Sequence, residues 1–212
     1  MKMKTQIRSF VLMLTAVGLV AGCASTGQKR RNQVESSVES TRTGLETANA
    51  AIGETLATLG SLQLESTVLT EVYPVFKKQV KAVADGAEQV KKNSLAMQEA
   101  GQVKFDAWKL ELESIQDAKL KKTSMKRMED ALKSYEDLLA LVKESETVMD
   151  PFVSDLTDIV TYLDLDLTKE GIKKISGFNG PVKKAVKSGE KVQKWIDKVV
   201  EELVKAEGEP AA

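Results

Sequence analysis

The chain has 212 residues with 31 basic and 31 acidic side chains, so its formal net charge at neutral pH is zero. It contains no histidine and one cysteine, and therefore lacks the residue most used for general acid–base catalysis, for activating a serine and for binding zinc. We expect no enzymatic activity, catalytic residue, metal site or cofactor, and the balanced charge gives no footprint for nucleic-acid binding. Aromatic residues make up 5% of the chain, and the abundance of Ala, Leu, Lys, Glu and Val is typical of long helices.

The N-terminus has the pattern of a secretion signal. Three basic residues precede the apolar segment 10–20, which is too short to cross a bilayer as a stable helix. The sequence Leu-Val-Ala-Gly-Cys follows at residues 19–23 and resembles the bacterial lipobox. That resemblance implies that residues 1–22 are a signal peptide, that cleavage falls between Gly22 and Cys23, and that Cys23 is acylated. A plain secretory signal with an incidental cysteine is the alternative.

The residue after the cysteine bears on location. In lipoproteins of Gram-negative bacteria, Ala24 in place of Asp implies sorting to the outer membrane, so we expect a protein that acyl chains hold at the periplasmic face. Removal of residues 1–22 takes away three basic residues and no acidic one, which leaves a net charge of −3. Residues 23–31 are polar and end in three basic side chains, which predicts a short, flexible, acylated tether.

Residues 32–206 are predicted to form a helical coiled-coil domain. In its first helix, apolar or threonine side chains recur every three or four positions, and a break is expected at residues 60–67. The predicted core positions are Val34, Val38, Thr41, Leu45, Ala48, Ile52, Thr55 and Leu59.

Two stronger stripes predict a long antiparallel hairpin at about residues 70–163, with its turn at residues 121–124. The stripe of the second helix comprises Phe76, Val80, Val83, Ala87, Val90, Ser94, Met97, Gly101, Phe105, Trp108, Leu112 and Ile115. The stripe of the third helix comprises Met125, Met128, Leu132, Tyr135, Leu139, Val142, Glu146, Met149, Phe152, Leu156, Ile159 and Leu163.

The predicted turn fixes which residues of the hairpin face each other. It places Trp108 level with Tyr135, Gly101 with Val142, and Val83 with Val160. Proline removes one helical hydrogen bond, so the third helix either kinks at Pro151 or ends there, with Asp150 capping a new helix. Because the stripe keeps its phase across the proline, a kinked and nearly continuous helix is favoured. The predicted structural anchors are Phe105, Trp108, Tyr135, Pro151 and Trp195.

The C-terminal region predicts two more helices. Thr168 is expected to cap a short helix at Lys169–Ser176, and Pro181 is expected to open a longer one. The stripe of that last helix is Val182, Ala185, Gly189, Val192, Ile196, Val199 and Leu203, flanked by Trp195 and three valines. Its wide apolar face predicts docking onto the hairpin or onto a second molecule. Residues 207–212 are predicted to be a disordered tail.

Three local features are candidates for ligand binding. Asp158, Asp164, Asp166 and Glu170 form an acidic stretch, but it lacks calcium-loop spacing, so a solvated helix end is favoured over a cation site. Glu146 in the core stripe is either a polar insert that fixes register or an exposed side chain near the proline. Ser94 and Gly101 leave room either for an acyl chain or for close approach of a neighbouring helix, which is favoured.

Several segments in order resemble a known family. Phe105, Trp108 and Glu111 form an F-x-x-W-x-x-E pattern, residues 120–127 are basic, and residues 148–153 contain an M-x-P pattern followed by an apolar residue. Together they resemble a family of coiled-coil-rich bacterial lipoproteins of unknown function, and the likeness covers roughly residues 73–167. The resemblance implies long helices and a lipid anchor, and it supplies no activity or catalytic residue.

The sequence thus predicts an all-α fold, an elongated antiparallel helical hairpin or coiled-coil bundle with additional N- and C-terminal helices. We expect a spacer or scaffold of the cell envelope that binds an envelope protein or associates with itself. The alternative is a carrier that shelters a lipid or another hydrophobic ligand.

Overall fold

The computed structural model describes residues 24–64, 67–177 and 180–207, and this part of the chain contains five α helices and no strand. They are α1 (Ala24–Leu62), α2 (Leu69–Glu113), α3 (Ala118–Leu165), α4 (Lys169–Ser176) and α5 (Pro181–Glu207). The predicted all-α fold is confirmed. The predicted signal peptide, the cleavage and acylation site at Gly22 and Cys23, and residues 208–212 of the tail lie outside the described residues.

The helices contribute to two compact units. The first unit contains residues 1–43, 92–143 and 199–212, and the second contains residues 44–91 and 144–198. Of the first unit, the structure describes residues 24–43, 92–143 and 199–207.

The second unit is an antiparallel four-helix bundle in which α1, α2, α3 and α5 each pack between two neighbours. Short connections between successive helices favour this arrangement, because each apolar seam is buried against the nearest available one. Phe76, Phe152 and Leu156 lie in its core with no exposed surface. Side-chain hydrogen bonds of 2.7–2.8 Å join different helices of this bundle. They include Asn49–Asp197, Lys184–Asp155 and Lys77–Asp164.

Side chains at one end of this bundle hold its connecting segments. The hydroxyl of Thr168 accepts a hydrogen bond from the Gly171 amide at 3.0 Å, so the predicted cap of α4 is present. Lys169 donates to the carbonyl oxygens of Leu64 and Thr67 at 2.9 and 2.8 Å. Asp164 accepts from the Tyr73 hydroxyl and from Lys77, and these bonds lower the pKa of Asp164, with Lys77 the larger cause.

Two members of the acidic stretch at this end, Asp164 and Asp166, are paired with neighbouring donors. Asp166 accepts hydrogen bonds from Thr168 and Tyr162, at 2.7 and 3.3 Å. No group of three or more potential metal ligands occurs among the described residues.

In the first unit, the hairpin turns earlier than predicted. α2 ends at Glu113 and α3 begins at Ala118, so residues 121–124 are helical and the prediction of a turn there was wrong. The reason is Asp117, whose carboxylate accepts a hydrogen bond from the Leu120 amide at 2.8 Å and so caps α3 at its start.

The earlier turn changes the pairing of the hairpin helices. Tyr135 lies against Gly101, so the predictions that Trp108 is level with Tyr135 and Gly101 with Val142 were wrong. At the other end of the hairpin, the Tyr73 hydroxyl donates to the Val160 carbonyl oxygen at 3.0 Å, where Val83 was predicted. An earlier turn gives each residue of α2 a partner nearer the beginning of α3 than predicted.

The first and last stripes are buried at every predicted position, from Val34 to Leu59 and from Val182 to Leu203. Thr41 and Thr55 occupy core positions because each hydroxyl donates to a carbonyl oxygen of its own helix, Ser37 and Ala51, at 2.8 and 2.7 Å. Helix α5 thus packs against the rest of this chain, which was one of its two predicted docking modes.

The third stripe differs from the prediction at alternate positions. The buried heptad series, with steps of three and four, is Met128, Ala131, Tyr135, Leu138, Val142, Ser145, Met149, Phe152, Leu156, Ile159 and Leu163. Ser134 and Leu141 are buried beside it, and Met125, predicted to be in the stripe, is 41% exposed. Ala131, Leu138 and Ser145 take the places predicted for Leu132, Leu139 and Glu146, which are half-buried. At the seam, the small side chains of Ala131 and Ser145 let the neighbouring backbone approach closely, whereas Leu132 and Glu146 lie at its margin.

The segment predicted to be a flexible tether is helical from Ala24 onward. Its polar side chains find partners along and across the helix: Gln28 donates to Asn32 at 2.9 Å, and Arg30 pairs with Glu111 of α2. Such contacts support a helix that has no apolar stripe of its own.

The predicted anchors differ in burial. Phe105 and Tyr135 are 5% and 2% exposed, whereas Trp108 and Trp195 are half-buried and Pro151 is exposed. Pro151 lies inside α3, which continues past it, so the favoured expectation of a continuous helix is confirmed over a new helix at this point. The ammonium of Lys198 lies 4.3 Å from the ring centroid of Trp195.

Candidate functional site

The candidate site is an open groove in the first unit, between α1 and α2. Its volume is about 860 Å³. The wall formed by α1 carries polar side chains, and all but Lys29 offer amide or hydroxyl groups to a ligand. These residues are Gln28, Lys29, Asn32, Gln33, Ser36, Ser37 and Ser40.

The wall formed by α2 is more apolar. Asn93 and Glu99 line it together with Ala96, Ala100 and Val103, and the side chain of Val103 is 55% exposed. The spacing of four and three residues continues to Ala107, and at 100° per residue it places all four apolar side chains on one face of the helix. We call Ala96, Ala100, Val103 and Ala107 the outer stripe of α2.

The outer stripe lies on a different face from the buried stripe of the same helix. Ser94, Met97 and Gly101 are buried, and the centre of this set lies about 125° around the helix from the centre of Ala96, Ala100 and Val103. Helix α2 therefore has one seam in the core and a second, accessible seam along the groove. At the edge of the groove, the Asn93 amide donates to the Ser40 carbonyl oxygen at 2.7 Å.

The core beneath the groove is filled by Tyr135. A Cβ atom added at Gly101 would lie 2.1 Å from Cε1 of the Tyr135 ring, so the glycine is needed for this contact. The ring centroid lies 5.7 Å from that of Phe105, and the hydroxyl donates to the Met97 carbonyl oxygen. Burial raises the pKa of Tyr135. Close approach of α2 and α3 thus accounts for Gly101, which is the alternative that the sequence favoured. It leaves no room for an acyl chain at this position.

The F-x-x-W-x-x-E residues lie next to this cluster. The rings of Phe105 and Trp108 are stacked, with centroids 6.3 Å apart and an interplanar angle of 15°. Glu111, the third residue of the pattern, pairs with Arg30 and so links the C-terminal part of α2 to the beginning of α1. The three residues therefore join core packing to an inter-helix ion pair.

Lys104 is the most perturbed basic group beside the site. It is half-buried between charges of α1, and its pKa is lowered from 10.5 to about 8. Burial is the main cause of the lower pKa, the positive charge of Arg31 adds to it, and the carboxylate of Glu35 opposes it.

Replacement of Lys104 by Met should stabilise the protein at pH 7, and the gain should shrink as the pH rises from 8 to 10.5. In that interval the unfolded chain binds a proton at Lys104 that the folded chain has lost, so wild-type stability rises with pH relative to the variant. Urea unfolding of both proteins at pH 7 and pH 9.5 measures the difference. Lys109→Met, at an exposed position, controls for the loss of one lysine, and an equal gain at both pH values for Lys104→Met would contradict the assignment.

Sequence reasoning missed two parts of this site. The outer stripe has the spacing of a coiled-coil seam, but three of its four members are alanines, so it is weaker than the adjacent core stripe of the same helix. The ion pair between Arg30 and Glu111 was missed because residues 24–31 were predicted to be a flexible tether.

No described helix combines the length and the apolar character needed to cross a membrane.

The fold and the groove define a class of protein: an all-α bundle of long helices with an accessible seam on one of them. The chain belongs to the family DUF2959, proteins of unknown function, whose model matches residues 21–206. No curated protein and no solved structure matches the chain significantly.

Proposed function

We propose that this protein is a lipid-anchored component of the bacterial cell envelope that works as a docking module for another protein. The observation that carries the docking role is the outer stripe of α2 along the groove. It is accessible, regular and matched by polar donors and acceptors on the facing wall.

The dimensions and chemistry of the groove suit a partner helix. From Ala96 to Ala107 the outer stripe is about 17 Å long, which is three helical turns. Alanine side chains allow a second helix to approach closely, and Val103 offers an apolar contact at the centre. The amides and hydroxyls of Gln28, Asn32 and Ser36 suit the polar margin of such a helix. The partner is an envelope protein or a second copy of this chain.

The anchor rests on the resemblance of residues 19–23 to a lipobox. Acylation of Cys23 would attach two or three chains, which meets the two-signal requirement for stable membrane binding. The Ala at residue 24 supports sorting to the outer membrane, with the bundle in the periplasm.

Cells fed a clickable fatty-acid analogue should label the wild-type protein and not Cys23→Ser. The variant should also accumulate as an uncleaved precursor, because the thioether-linked lipid is what permits processing of a lipoprotein. Labelling, gel mobility and sucrose-gradient fractionation measure the three properties. An unlabelled wild-type protein would refute the anchor, and wild type in the inner membrane would refute the proposed sorting.

A photo-crosslinking side chain placed at Val103 should capture a partner protein in intact cells. The matched control is Leu95, which is 58% exposed on the same helix but lies outside the outer stripe. Docking in the groove predicts a discrete adduct from residue 103 and none from residue 95, and mass spectrometry distinguishes a foreign partner from a second copy. Equal adducts from both positions, or none from residue 103, would contradict docking in the groove.

A carrier function makes a different prediction. A carrier would retain lipid when the protein is purified without its acyl group, whereas a docking module would not. If mass spectrometry finds lipid bound to the protein at a stoichiometric ratio, the protein is a carrier and the docking function is refuted.

A further inference from the structure

The beginning of α3 carries a concentration of positive charge. Residues 118–127 form the start of α3 and contain five basic side chains and no acidic one. They are Lys119, Lys121, Lys122, Lys126 and Arg127. Within the described parts of the chain, none of the five has an ion-pair partner.

This placement does not stabilise the helix. The N-terminus of a helix carries partial positive charge, so acidic side chains stabilise it and basic ones destabilise it. The carboxylate at this end of α3 is that of its cap, Asp117, and the first turn itself contains no acidic residue. Helix stability therefore does not explain the lysines in the first turn, and a requirement outside the fold is a physical reason to keep them there.

Large apolar side chains are exposed among these cations. Leu120 is 63% exposed and Met125 is 41% exposed on α3, and Leu110 is 67% exposed near the end of α2. Exposed leucines surrounded by lysines are typical of protein surfaces that lie in the interfacial region of a membrane. We call residues 109–127 the hairpin tip, which contains six basic and three acidic side chains.

The hairpin tip lies beside the beginning of α1. Arg30 of α1 pairs with Glu111, two residues before α2 ends at Glu113. Helix α1 is continuous from Ala24, so about 9 Å of helix separates Ala24 from Arg30. Cys23 directly precedes Ala24 in the sequence. An acyl group on Cys23 would therefore hold the hairpin tip close to the bilayer surface.

We propose that the hairpin tip binds the surface of a bilayer that contains anionic phospholipid, as a second membrane contact beside the acyl anchor. Its position at the membrane rests on the proposed acylation of Cys23. The lysines and Arg127 interact with the phosphate headgroups, and Leu120 enters the interfacial region. Each basic side chain near an anionic membrane strengthens binding about fivefold.

The test uses the chain from residue 24 to 212, which lacks the acyl site and retains every described residue. It should sediment with vesicles of phosphatidylethanolamine and phosphatidylglycerol at a 3:1 ratio. Binding should weaken strongly from 50 to 300 mM salt and should be absent with phosphatidylcholine vesicles, because the attraction is electrostatic. Failure to bind the anionic vesicles at 50 mM salt would overturn the inference, as would equal binding to both kinds of vesicle.

Matched variants separate the hairpin tip from general charge attraction. Lys119→Gln/Lys122→Gln should lower the partition coefficient at least tenfold. Lys187→Gln/Lys191→Gln removes the same charge from exposed positions of α5 and should change it less than twofold. Equal losses in the two double variants would overturn the assignment to the hairpin tip. Circular dichroism of all variants establishes that each one is folded.

Leu120→Ser tests the apolar contact, and it should weaken vesicle binding about fivefold or more. Leu165→Ser is its control, since Leu165 is 85% exposed in the second unit and should have no effect. Equal effects of the two substitutions would contradict insertion of Leu120.

Fatty-acid labelling of the full-length protein tests the acyl anchor independently of vesicle binding. If the full-length protein is unlabelled but the chain from residue 24 binds vesicles, only the acylation is refuted. If the full-length protein is labelled but the chain from residue 24 does not bind vesicles, only the role of the hairpin tip is refuted.

Discussion

Truncation after Gly180, which removes α5, should abolish the cooperative unfolding transition of the protein. Val182, Val192, Ile196, Val199 and Leu203 are each at most 3% exposed. Burial of one such side chain contributes about 1.5–3 kcal/mol, so the five together are of the same order as the about 5–15 kcal/mol that stabilises a whole domain. The truncation also uncovers the faces of α1 and α3 on which α5 packs, including Phe152.

Circular dichroism melts and analytical ultracentrifugation of residues 24–180 measure this outcome. The expected result is a broad transition at lower temperature, with self-association through the uncovered apolar faces. The matched control ends at Glu207, the last residue of α5, and should melt like the full chain. A sharp transition of residues 24–180 at the wild-type temperature would show that α5 contributes little to the fold.

Gly101→Ala should destabilise the protein by about 2–3 kcal/mol, although alanine favours a helix over glycine by about 1 kcal/mol. The new Cβ would lie 2.1, 2.7 and 2.9 Å from three carbons of the Tyr135 ring. Tyr135 is 2% exposed and bonded through its hydroxyl to the Met97 carbonyl oxygen, so the ring has no free volume into which it can move. Either the ring or the helix pair must shift.

Urea unfolding measures the effect, and two further variants define its cause. Gly60→Ala is the matched control, because no atom lies within 4 Å of a Cβ added there, and it should be neutral or slightly stabilising. In the background of Tyr135→Leu, which removes the ring, Gly101→Ala should cost much less than it does alone. A full cost in that background would mean that the clash with Tyr135 is not the cause.

The sequence predicted correctly those features whose signals depend only on residues close together in the chain. The cap at Thr168 and the start of α5 at Pro181 were predicted correctly, because capping and proline preferences operate within a few residues. The stripe from Val34 to Leu59 was also correct, since only one set of positions gives a continuous apolar seam there.

Where two local signals competed, the predicted turn of the hairpin was wrong, although the hairpin itself is present. Residues 121–124, Lys-Lys-Thr-Ser, have the polarity of a turn, but Asp117 offers a better cap and α3 begins earlier. In α3, the heptad pattern fits Leu132 and Leu139 as well as Ala131 and Leu138. Only contact with the neighbouring helices decides between the two registers, because close approach of the helices favours Ala131 over Leu132, and Leu138 follows Ala131 at the heptad spacing of seven residues.

The sequence by itself determined that this protein is all-α, that its long helices pack through heptad seams, and that its N-terminus resembles a lipobox. Those features follow from residue periodicity and short motifs, which need no knowledge of distant contacts. The tertiary structure alone decided that residues 24–31 are helical, that Tyr135 lies over Gly101, and that the outer stripe borders a groove. These features depend on residues far apart in the chain, such as Arg30 and Glu111, and the register between helices is set by the turn and by side-chain volume together.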